Sequence, residues 1–366
     1  MNPFYISAYK SPEFFCDREK ETSILTETVT NGRNIMLYSL RRMGKTGLIK
    51  HLYFNLSQNT DYQLIYLDIY RTKNVQDFVN ELANAMLSIQ KKQWYQKAFD
   101  LIKSLRPVIT INPVTGSMEA EIKAVNSEQS LSNLDVIFNF FEKFSTKVII
   151  AIDEFQQITE YPESGFEALL RSKIQFLNNV NFIYSGSNRR IISSMFNDYN
   201  RPFYQSCNTL YLEKISFDVY TTFISKLMLE NGRKIDTSTV ENGLKWTESY
   251  SWYTQNFFNR LWGKGVKTIT ESTLFDVEMD IFAEKERDFV ELRNLLPVNQ
   301  MNLLTAIAKE NQVQKPNAID FIKKHRLGSA SSVNSALKVL ENKEIIYFEN
   351  GVYKVYDVFL TRFLQS

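Results

Sequence analysis

One stretch decides the fold of this chain: Asn34-Ile35-Met36-Leu37-Tyr38-Ser39-Leu40-Arg41-Arg42-Met43-Gly44-Lys45-Thr46-Gly47-Leu48-Ile49. Its apolar start predicts a buried strand, and its apolar-periodic end predicts a helix. The connection between them, which ends in Gly44-Lys45-Thr46, has the layout of a phosphate-binding loop, where backbone N–H groups and a helix N-terminus face an anion. We expect Lys45 to supply a compact positive charge and Thr46 a hydroxyl for Mg²⁺.

The loop departs from the pattern G-x-x-x-x-G-K-[ST] at its first position, where Ser39 stands in place of glycine. Serine does not adopt a positive φ as cheaply as glycine, so we expect the start of the loop to differ slightly. Because Gly-Lys-Thr alone is a weak signal, a helix start without a ligand is the competing interpretation. A second motif, the carboxylate pair Asp153-Glu154 on a predicted strand further along the chain, favours phosphate binding.

Length and composition exclude several classes of protein. The 366 residues suffice for two or three domains, and 23% charged with 44% apolar residues is typical of a soluble globular protein. A net charge of +2 creates no strong pull towards nucleic acid or an anionic membrane. Cys16 and Cys207 lie far apart and the chain has two histidines, so a structural zinc site is not expected. The lack of a membrane-spanning apolar run and of a signal pattern predicts a cytoplasmic protein with reduced thiols and no membrane association.

The first part of the chain alternates strands with helices. Further strands are predicted within residues 63–69, 147–156, 180–188 and 208–212. This alternation predicts an α/β fold with a parallel, doubly wound sheet, of the P-loop subclass with an inserted central strand. Alternating residues around Pro113-Val114-Thr115-Gly116 predict a β-hairpin insertion near residues 106–126.

The last part of the chain has a different pattern. From Ser216 it is purely helical, and from Pro297 three helices are followed by two strands around an Asn-Gly turn. Three helices and a hairpin are typical of a winged helix-turn-helix. We therefore predict a P-loop domain at 1–215, an all-helical lid at 216–296 and a winged helix-turn-helix domain at 297–366.

Two carboxylates, Asp153 and Glu154, lie at the carboxyl end of the predicted buried strand that begins at Lys147. Ligands of open α/β sheets bind at the carboxyl ends of the strands, although a solvated strand end is the competing interpretation. We predict that Asp153 holds Mg²⁺, directly or through water, and that Glu154 orients or deprotonates an attacking water. Ser187, or Asn188 beside it, is predicted to polarise that water or to sense a γ-phosphate, with a plain turn as the alternative.

These residues predict ATP and Mg²⁺ as cofactors. Lys45 is predicted to bridge the β- and γ-phosphates, and Thr46 and Asp153 to ligate Mg²⁺. Residues predicted to contact the nucleotide are Ser39, Arg41, Arg42, Met43, Gly44, Lys45, Thr46 and Gly47. For Arg41 and Arg42, a contact with a neighbouring protomer or with acidic residues at the sheet edge is an alternative. Arg189 and Arg190 are candidates for an arginine finger, with a solvated helix start as the alternative.

With these residues in view, the chain resembles the archaeal-type P-loop ATPases of the STAND/AAA+ group. The resemblance lies in Asp17-Arg18-Glu19, the loop at 38–46, Asp153-Glu154-Phe155-Gln156, Ser185-Gly186-Ser187, Pro202-Phe203-Tyr204 and the C-terminal winged helix. It implies an ASCE/AAA+-like sheet followed by a helical lid, and Mg²⁺-dependent hydrolysis of ATP. The chain departs from the family's usual pattern at Ser39, at Gln205-Ser206 and at Tyr250-Ser251-Trp252; the last two departures weaken the case for fast turnover.

Three interpretations of the biological role of such an ATPase are considered. The favoured one is a nucleotide-driven switch that controls a protein partner, with the winged helix as a docking or lid domain. The second is ATP-regulated DNA binding through residues 297–366, with 330–338 as the recognition helix. Because that helix is nearly neutral and Glu341 and Glu344 follow it, its basic face is sparse, which argues against tight DNA binding. The third is nucleotide binding with little turnover, and a homo-oligomer is an open alternative for the assembly.

Overall fold

The computed structural model describes residues 1–6, 9–58, 61–89, 92–113, 116, 118–144 and 146–366. They form two compact units. The sheet unit runs from Tyr9 to Lys214, and the helical unit comprises Met1 to Ile6 together with Ile215–Ser366. Val114 and Thr115, in the predicted hairpin turn, lie outside the described residues.

The sheet unit alternates strands and helices along most of its length. Its strands are β1 (Ile35–Tyr38), β2 (Tyr62–Asp68), β3 (Val108–Ile111), β4 (Met118–Glu121), β5 (Lys147–Asp153), β6 (Val180–Gly186) and β7 (Asn208–Tyr211). Its helices are α1 (Glu19–Thr30), α2 (Lys45–Ser57), α3 (Val75–Leu87), α4 (Lys92–Ser104), α5 (Ser127–Glu142), α6 (Phe166–Ile174) and α7 (Arg189–Asn197). Short 3₁₀ segments lie at Pro12–Phe14 and Phe155–Glu160.

Five strands form a parallel sheet in the order β2-β5-β6-β1-β7. The predicted parallel α/β sheet with an inserted central strand is therefore confirmed. The inserted strand is β6, which follows both β1 and β5 in the sequence but lies between them in the sheet. Because the strands are parallel, the carboxyl ends of β1, β5 and β6 meet at one edge.

The core beneath this edge is aromatic. Phe155, directly after the predicted acidic pair, is fully buried, and its ring centroid lies 4.6 Å from that of Tyr184 in β6 and 5.2 Å from that of Phe203. Large buried rings stabilise a fold through the apolar area that they remove from water. Phe155 therefore anchors the chain where it leaves β5.

A separate antiparallel hairpin is formed by β3 and β4, with Val108 opposite Glu121 and Ile111 opposite Met118. Side chains of α3 satisfy the backbone of β4 and of the residue after it. Asn84 accepts a hydrogen bond from Ala120 N at 2.8 Å, and Asn80 accepts one from Ile122 N at 2.9 Å. These bonds attach the hairpin to the helix beside the sheet.

The helical unit contains short strands as well as helices. Its helices are α8 (Phe217–Glu230), α9 (Thr237–Trp246), α10 (Ser251–Gly263), α11 (Glu271–Leu295), α12 (Val298–Glu310), α13 (Ile319–Lys324), α14 (Ala330–Asn342) and α15 (Val358–Gln365). Its strands are β8 (Lys234–Ile235), β9 (Thr268–Ile269), β10 (Ile346–Glu349) and β11 (Val352–Val355). The expectation of a purely helical segment after Ser216 was wrong in one detail, since β8 and β9 form a two-residue parallel pair.

The end of the helical unit has the predicted winged helix topology. Helices α12, α13 and α14 precede the antiparallel pair β10-β11, in which Ile346 lies opposite Val355. Val313 adds a bridge to Tyr353 and widens this small sheet. The division of residues 216–366 into a lid and a winged helix domain stays a prediction. Among the described helices, none combines the length and apolar character needed to cross a membrane.

Candidate functional site

The loop after β1 turns into α2 at Gly44, whose φ of 95° lies in the left-handed region that favours glycine. Ser39 is fully buried at the start of the loop, and its hydroxyl donates a hydrogen bond to Leu40 O at 2.9 Å. The first N–H groups of a helix have no partner within the helix. The N-terminus of α2 therefore presents backbone donors where the sequence predicts an anion.

Lys45 is the buried cation of this loop, with 6% of its surface exposed. Its ammonium donates to Leu40 O at 3.2 Å, to Ser39 O at 3.3 Å and to Ser39 Oγ at 3.4 Å, and none of these acceptors carries a formal charge. Burial lowers the pKa of Lys45, while the nearby carboxylates of Glu154 and Asp153 oppose this shift. A buried ammonium at a helix N-terminus is suited to binding an anion.

Asp153 lies at the end of β5 and is buried. Its Oδ2 accepts hydrogen bonds from Thr46 Oγ1 and from the Tyr66 hydroxyl, each at 2.7 Å, and its Oδ1 accepts one from Glu154 N at 3.1 Å. The two predicted Mg²⁺ ligands, Thr46 and Asp153, are thus in direct contact. A hydroxyl and a carboxylate beside a phosphate-binding loop are oxygen ligands of the kind that Mg²⁺ prefers, so these residues fit the metal.

Glu154 adopts a φ of 55°, which is unusual for a residue other than glycine and turns the chain sharply out of β5. Its Oε2 accepts hydrogen bonds from Ser187 Oγ at 2.7 Å and from Ser187 N at 3.3 Å. The amide of Gln156 donates to the same oxygen. The predicted base and the predicted polar residue after β6 are therefore in contact.

Arg41 connects the loop to this pair, because its Nε donates to Ser187 Oγ at 3.3 Å. The Asn188 side chain caps α7 by accepting a hydrogen bond from Ile191 N at 3.1 Å, and its role towards a γ-phosphate stays a prediction. Arg189 places its guanidinium 4.9 Å from the ring centroid of Tyr211, and Arg190 is exposed. That Arg189 or Arg190 acts as an arginine finger stays a prediction.

The remaining loop residues differ in exposure. Met43 is buried, Arg42 and Gly44 are exposed, and Gly47 lies in the first turn of α2. Arg18, in the Asp-Arg-Glu motif of the resemblance, is buried and used within the protein. Its guanidinium binds the Glu21 carboxylate at 2.8 Å and Glu213 O at 2.7 Å.

The sequence pointed to Asp153 but not to Tyr66 or Asp68, which lie beside it on β2. Burial raises the pKa of Tyr66, and so does the Asp153 carboxylate, so the hydroxyl stays a donor. Asp68 pairs in register with Asp153, and desolvation raises its pKa, with further raising contributions from Asp153 and Glu154. The only feature of the sequence that could have indicated these two residues is a tyrosine two positions before an aspartate at the end of an apolar run.

Sequence comparisons identify the family of this chain. The family described as an ATPase domain predominantly from Archaea matches residues 15–247, and a probable winged helix domain matches residues 287–366. An ATP-binding protein of Methanocaldococcus jannaschii is 30% identical over 168 residues, which are 43% of this chain and 46% of that protein. The matched part of this chain thus spans about half the length of that relative.

Solved structures share the fold. A Walker-type ATPase of Pyrococcus abyssi has a TM-score of 0.70 at 18% identity, with all of both chains covered. The ORC2 protein of Aeropyrum pernix has a TM-score of 0.61 at 13% identity, covering 100% of this chain and 95% of that one. The ORC1 protein of the same organism, solved in complex with DNA, has a TM-score of 0.55 at 14% identity, covering 97% and 93%. At these identities the likeness concerns the fold.

Proposed function

The chain belongs to the family of ATPase domains found predominantly in Archaea, and from this premise we propose that it binds ATP with Mg²⁺ and hydrolyses it to ADP and phosphate. The observation that carries the proposal is the 2.7 Å hydrogen bond from Thr46 Oγ1 to Asp153 Oδ2. It joins the phosphate-binding loop to the acidic strand across 107 residues of sequence. This contact puts a cation, a hydroxyl and a carboxylate at one edge of the sheet.

In this proposal Lys45 and the N-terminus of α2 bind the β- and γ-phosphates, and Thr46 and Asp153 hold the metal. When bound, Mg²⁺ neutralises charge on the phosphate oxygens. Glu154 accepts a proton from the water that attacks the γ-phosphorus, and Ser187 orients Glu154. The hydrogen bonds described for the Glu154 carboxylate all end on Oε2, so we assign Oε1 to the water.

Nucleotide binding is tested by the substitution Lys45→Ala, with Lys147→Ala as a matched control. Lys147 starts β5 at the end opposite Asp153, is exposed, and its ammonium donates to Thr30 O at 3.0 Å. We expect saturating Mg²⁺-ATP to raise the melting temperature of the wild type and of Lys147→Ala but not of Lys45→Ala. Equal stabilisation of all three proteins would show that the loop has been assigned wrongly.

Hydrolysis is tested by Glu154→Gln, with Glu160→Gln as its control. Glu160 is exposed at the end of the 3₁₀ segment that follows Glu154. We expect Glu154→Gln to keep the thermal stabilisation by ATP and to lose about 10²- to 10⁴-fold in single-turnover phosphate release, the usual contribution of a positioned base. If the wild type released phosphate as slowly as Glu154→Gln, the protein would be a nucleotide binder with little turnover.

We further propose that the nucleotide cycle drives a switch and that the winged helix docks a protein partner. Two basic residues before α14 are already paired, since Glu310 contacts His325 Nε2 at 2.8 Å and forms an ion pair with Lys324. Helix α14 itself contains Lys338 and Glu341. Since phosphate contacts dominate affinity for DNA, this charge distribution supports a protein partner.

DNA binding is the second candidate. It is supported by the ORC1 protein of the same fold, solved with DNA, and by the small exposed residues Ser331, Asn334 and Ser335 at the start of α14. Fluorescence anisotropy with the full chain and a labelled duplex, between about 50 and 200 mM salt, separates the candidates. We expect no saturable binding near the upper salt concentration. Saturable binding that falls steeply with salt and depends on Lys338 would favour the DNA reader.

A further inference from the structure

The Asp153 carboxylate accepts a hydrogen bond from a side chain that belongs neither to the phosphate-binding loop nor to the acidic motif. The hydroxyl of Tyr66 in β2 donates to Asp153 Oδ2 at 2.7 Å, the same length as the bond from Thr46 to the same oxygen. Bonds from hydroxyls to a carboxylate are short and strong because the acceptor is charged. Two hydroxyls, from two different elements, therefore fix one oxygen of this carboxylate.

The sheet register explains how Tyr66 reaches Asp153. Tyr66 is paired with Ala151 on the neighbouring strand β5, and Asp68 is paired with Asp153. Residues two apart on a strand share a face of the sheet, so Tyr66 and Asp153 are diagonal neighbours on one face. Because the residue opposite the tyrosine is a small alanine, the ring has room to lie along β5 with its hydroxyl at the strand end.

The half-buried ring is fixed from a second side. The Lys50 ammonium of α2 lies 5.5 Å from the Tyr66 ring centroid, within the range of a cation–π contact. Thr46, the other donor to Asp153 Oδ2, is on the same helix. The tyrosine is thus held by both the sheet and the helix of the phosphate-binding loop, which gives its hydroxyl a defined position.

We propose that Tyr66 is a positioning residue of the metal site, which orients the Asp153 carboxylate so that it meets Mg²⁺ in one geometry. The proposal rests on the proposed function, because it requires that Asp153 and Thr46 hold the metal. It assigns to Tyr66 no contact with the nucleotide or with the reacting atoms. It follows that removing the Tyr66 hydroxyl should weaken the binding of Mg²⁺ and should leave the affinity for metal-free nucleotide unchanged.

The expected size of the effect follows from other metal sites. Removing a group that hydrogen-bonds a metal ligand typically lowers metal affinity or activity about 10- to 100-fold. In Tyr66→Phe the carboxylate keeps the bonds from Thr46 and from Glu154 N, but its Oδ2 loses the bond from Tyr66, which is not itself a proposed metal ligand. We therefore expect the Mg²⁺ concentration at half-saturation to rise at least about tenfold.

A matched control is available on α2. The hydroxyl of Tyr53 donates to Ile65 O at 2.7 Å and to Ile149 O at 3.2 Å, so it binds the backbones of β2 and β5 and not the carboxylate. Tyr53→Phe removes a hydroxyl from the same helix–sheet interface. We expect this variant to lose thermal stability without any change in the Mg²⁺ midpoint.

The experiment uses the full chain as wild type, Tyr66→Phe and Tyr53→Phe. A fluorescent ATP analogue is bound in EDTA and then in a Mg²⁺ titration, with anisotropy as the readout. For Tyr66→Phe we expect an affinity in EDTA within about twofold of the wild type and a Mg²⁺ midpoint shifted by the expected tenfold or more. Tyr66→Met, which also lacks the hydroxyl, should show the same shift and replaces Tyr66→Phe if that variant does not fold.

Each outcome has a distinct meaning. A Mg²⁺ midpoint that is unchanged in a folded Tyr66 variant, while the wild type responds to Mg²⁺, overturns the inference and leaves the proposed function standing. An equal shift in Tyr53→Phe also overturns it, because the effect would then follow from the stability of the sheet. If the wild type binds the analogue equally well with and without Mg²⁺, the proposed metal site itself fails.

Discussion

Gly186, at the end of β6, is a position where the structure leaves no room for a side chain. A Cβ atom built on it would lie 2.5 Å from Gln156 Oε1 and 3.0 Å from Ile192 Cδ1. Gln156 is buried, and its amide donates to the Glu154 carboxylate. The substitution Gly186→Ala must therefore displace the side chain that holds the predicted base.

The cost has two components. Overpacking a core by one methyl group costs about 1–3 kcal/mol. A lost hydrogen bond to a charged group costs about 1.5–3 kcal/mol. The two are coupled, because Gln156 relieves the clash by moving away from Glu154, so they do not add in full. We expect Gly186→Ala to lower the free energy of unfolding by about 3 kcal/mol.

Urea unfolding followed by circular dichroism measures this loss, with Ser185→Ala as the control. Ser185 is fully buried on the same strand, and its hydroxyl has no hydrogen-bond partner among the described residues. Removing an unsatisfied buried hydroxyl should be neutral or stabilising by up to about 1 kcal/mol. If Gly186→Ala proves as stable as Ser185→Ala, the packing of Gln156 and Ile192 against Gly186 is not as described.

Two further predictions concern the helical unit and the thiols. Phe359 of α15 is 3% exposed, and its ring centroid lies 4.8 Å from that of Tyr253 and 5.4 Å from that of Trp246. Phe359→Ala should therefore lower the free energy of unfolding in urea by about 3–5 kcal/mol. A loss below about 1 kcal/mol would contradict this packing. Burial raises the pKa of Cys16 and of Cys207 from 9.0 to about 12. The unfolded chain therefore releases these protons first, and the stability that they contribute, complete below pH 9.0, should decline as the pH rises towards about 12. Labelling with a disulfide reagent at about pH 8 should be much slower in the native than in the urea-unfolded protein, and equal rates would show that the thiols are accessible.

Local patterns in the sequence predicted much of the fold. Gly44 supplies the left-handed turn into α2, and Asn350-Gly351, with φ values of 50° and 81°, supplies the turn between β10 and β11. The apolar residues of β5 are buried as their pattern indicates. Each of these features depends on the conformational preferences of a few neighbouring residues or on burial along one element. For that reason the α/β sheet and the winged helix could be predicted and are confirmed.

Partners distant in the sequence could not be predicted in this way. Arg18, which belongs to a motif of the family resemblance, donates a hydrogen bond to Glu213 O, although Glu213 is 195 positions further along the chain. Gln156, inside the acidic motif, had no predicted role and donates to Glu154. The inserted central strand was predicted, but which side chains meet at the ends of β1, β5 and β6 depends on the register and the turns of these strands, which their order along the chain does not give.

The sequence by itself identified the candidate site residues, a lysine and a threonine at the start of one helix and a carboxylate pair at the end of one strand, because loop geometry and burial are properties of short segments. Only the tertiary structure decided what each of these groups touches. Tyr66 lies 87 positions before Asp153, and Ser187 lies 33 positions after Glu154. Hydrogen bonds act only near 3 Å, so such pairs exist only once the register of neighbouring strands has brought their ends together.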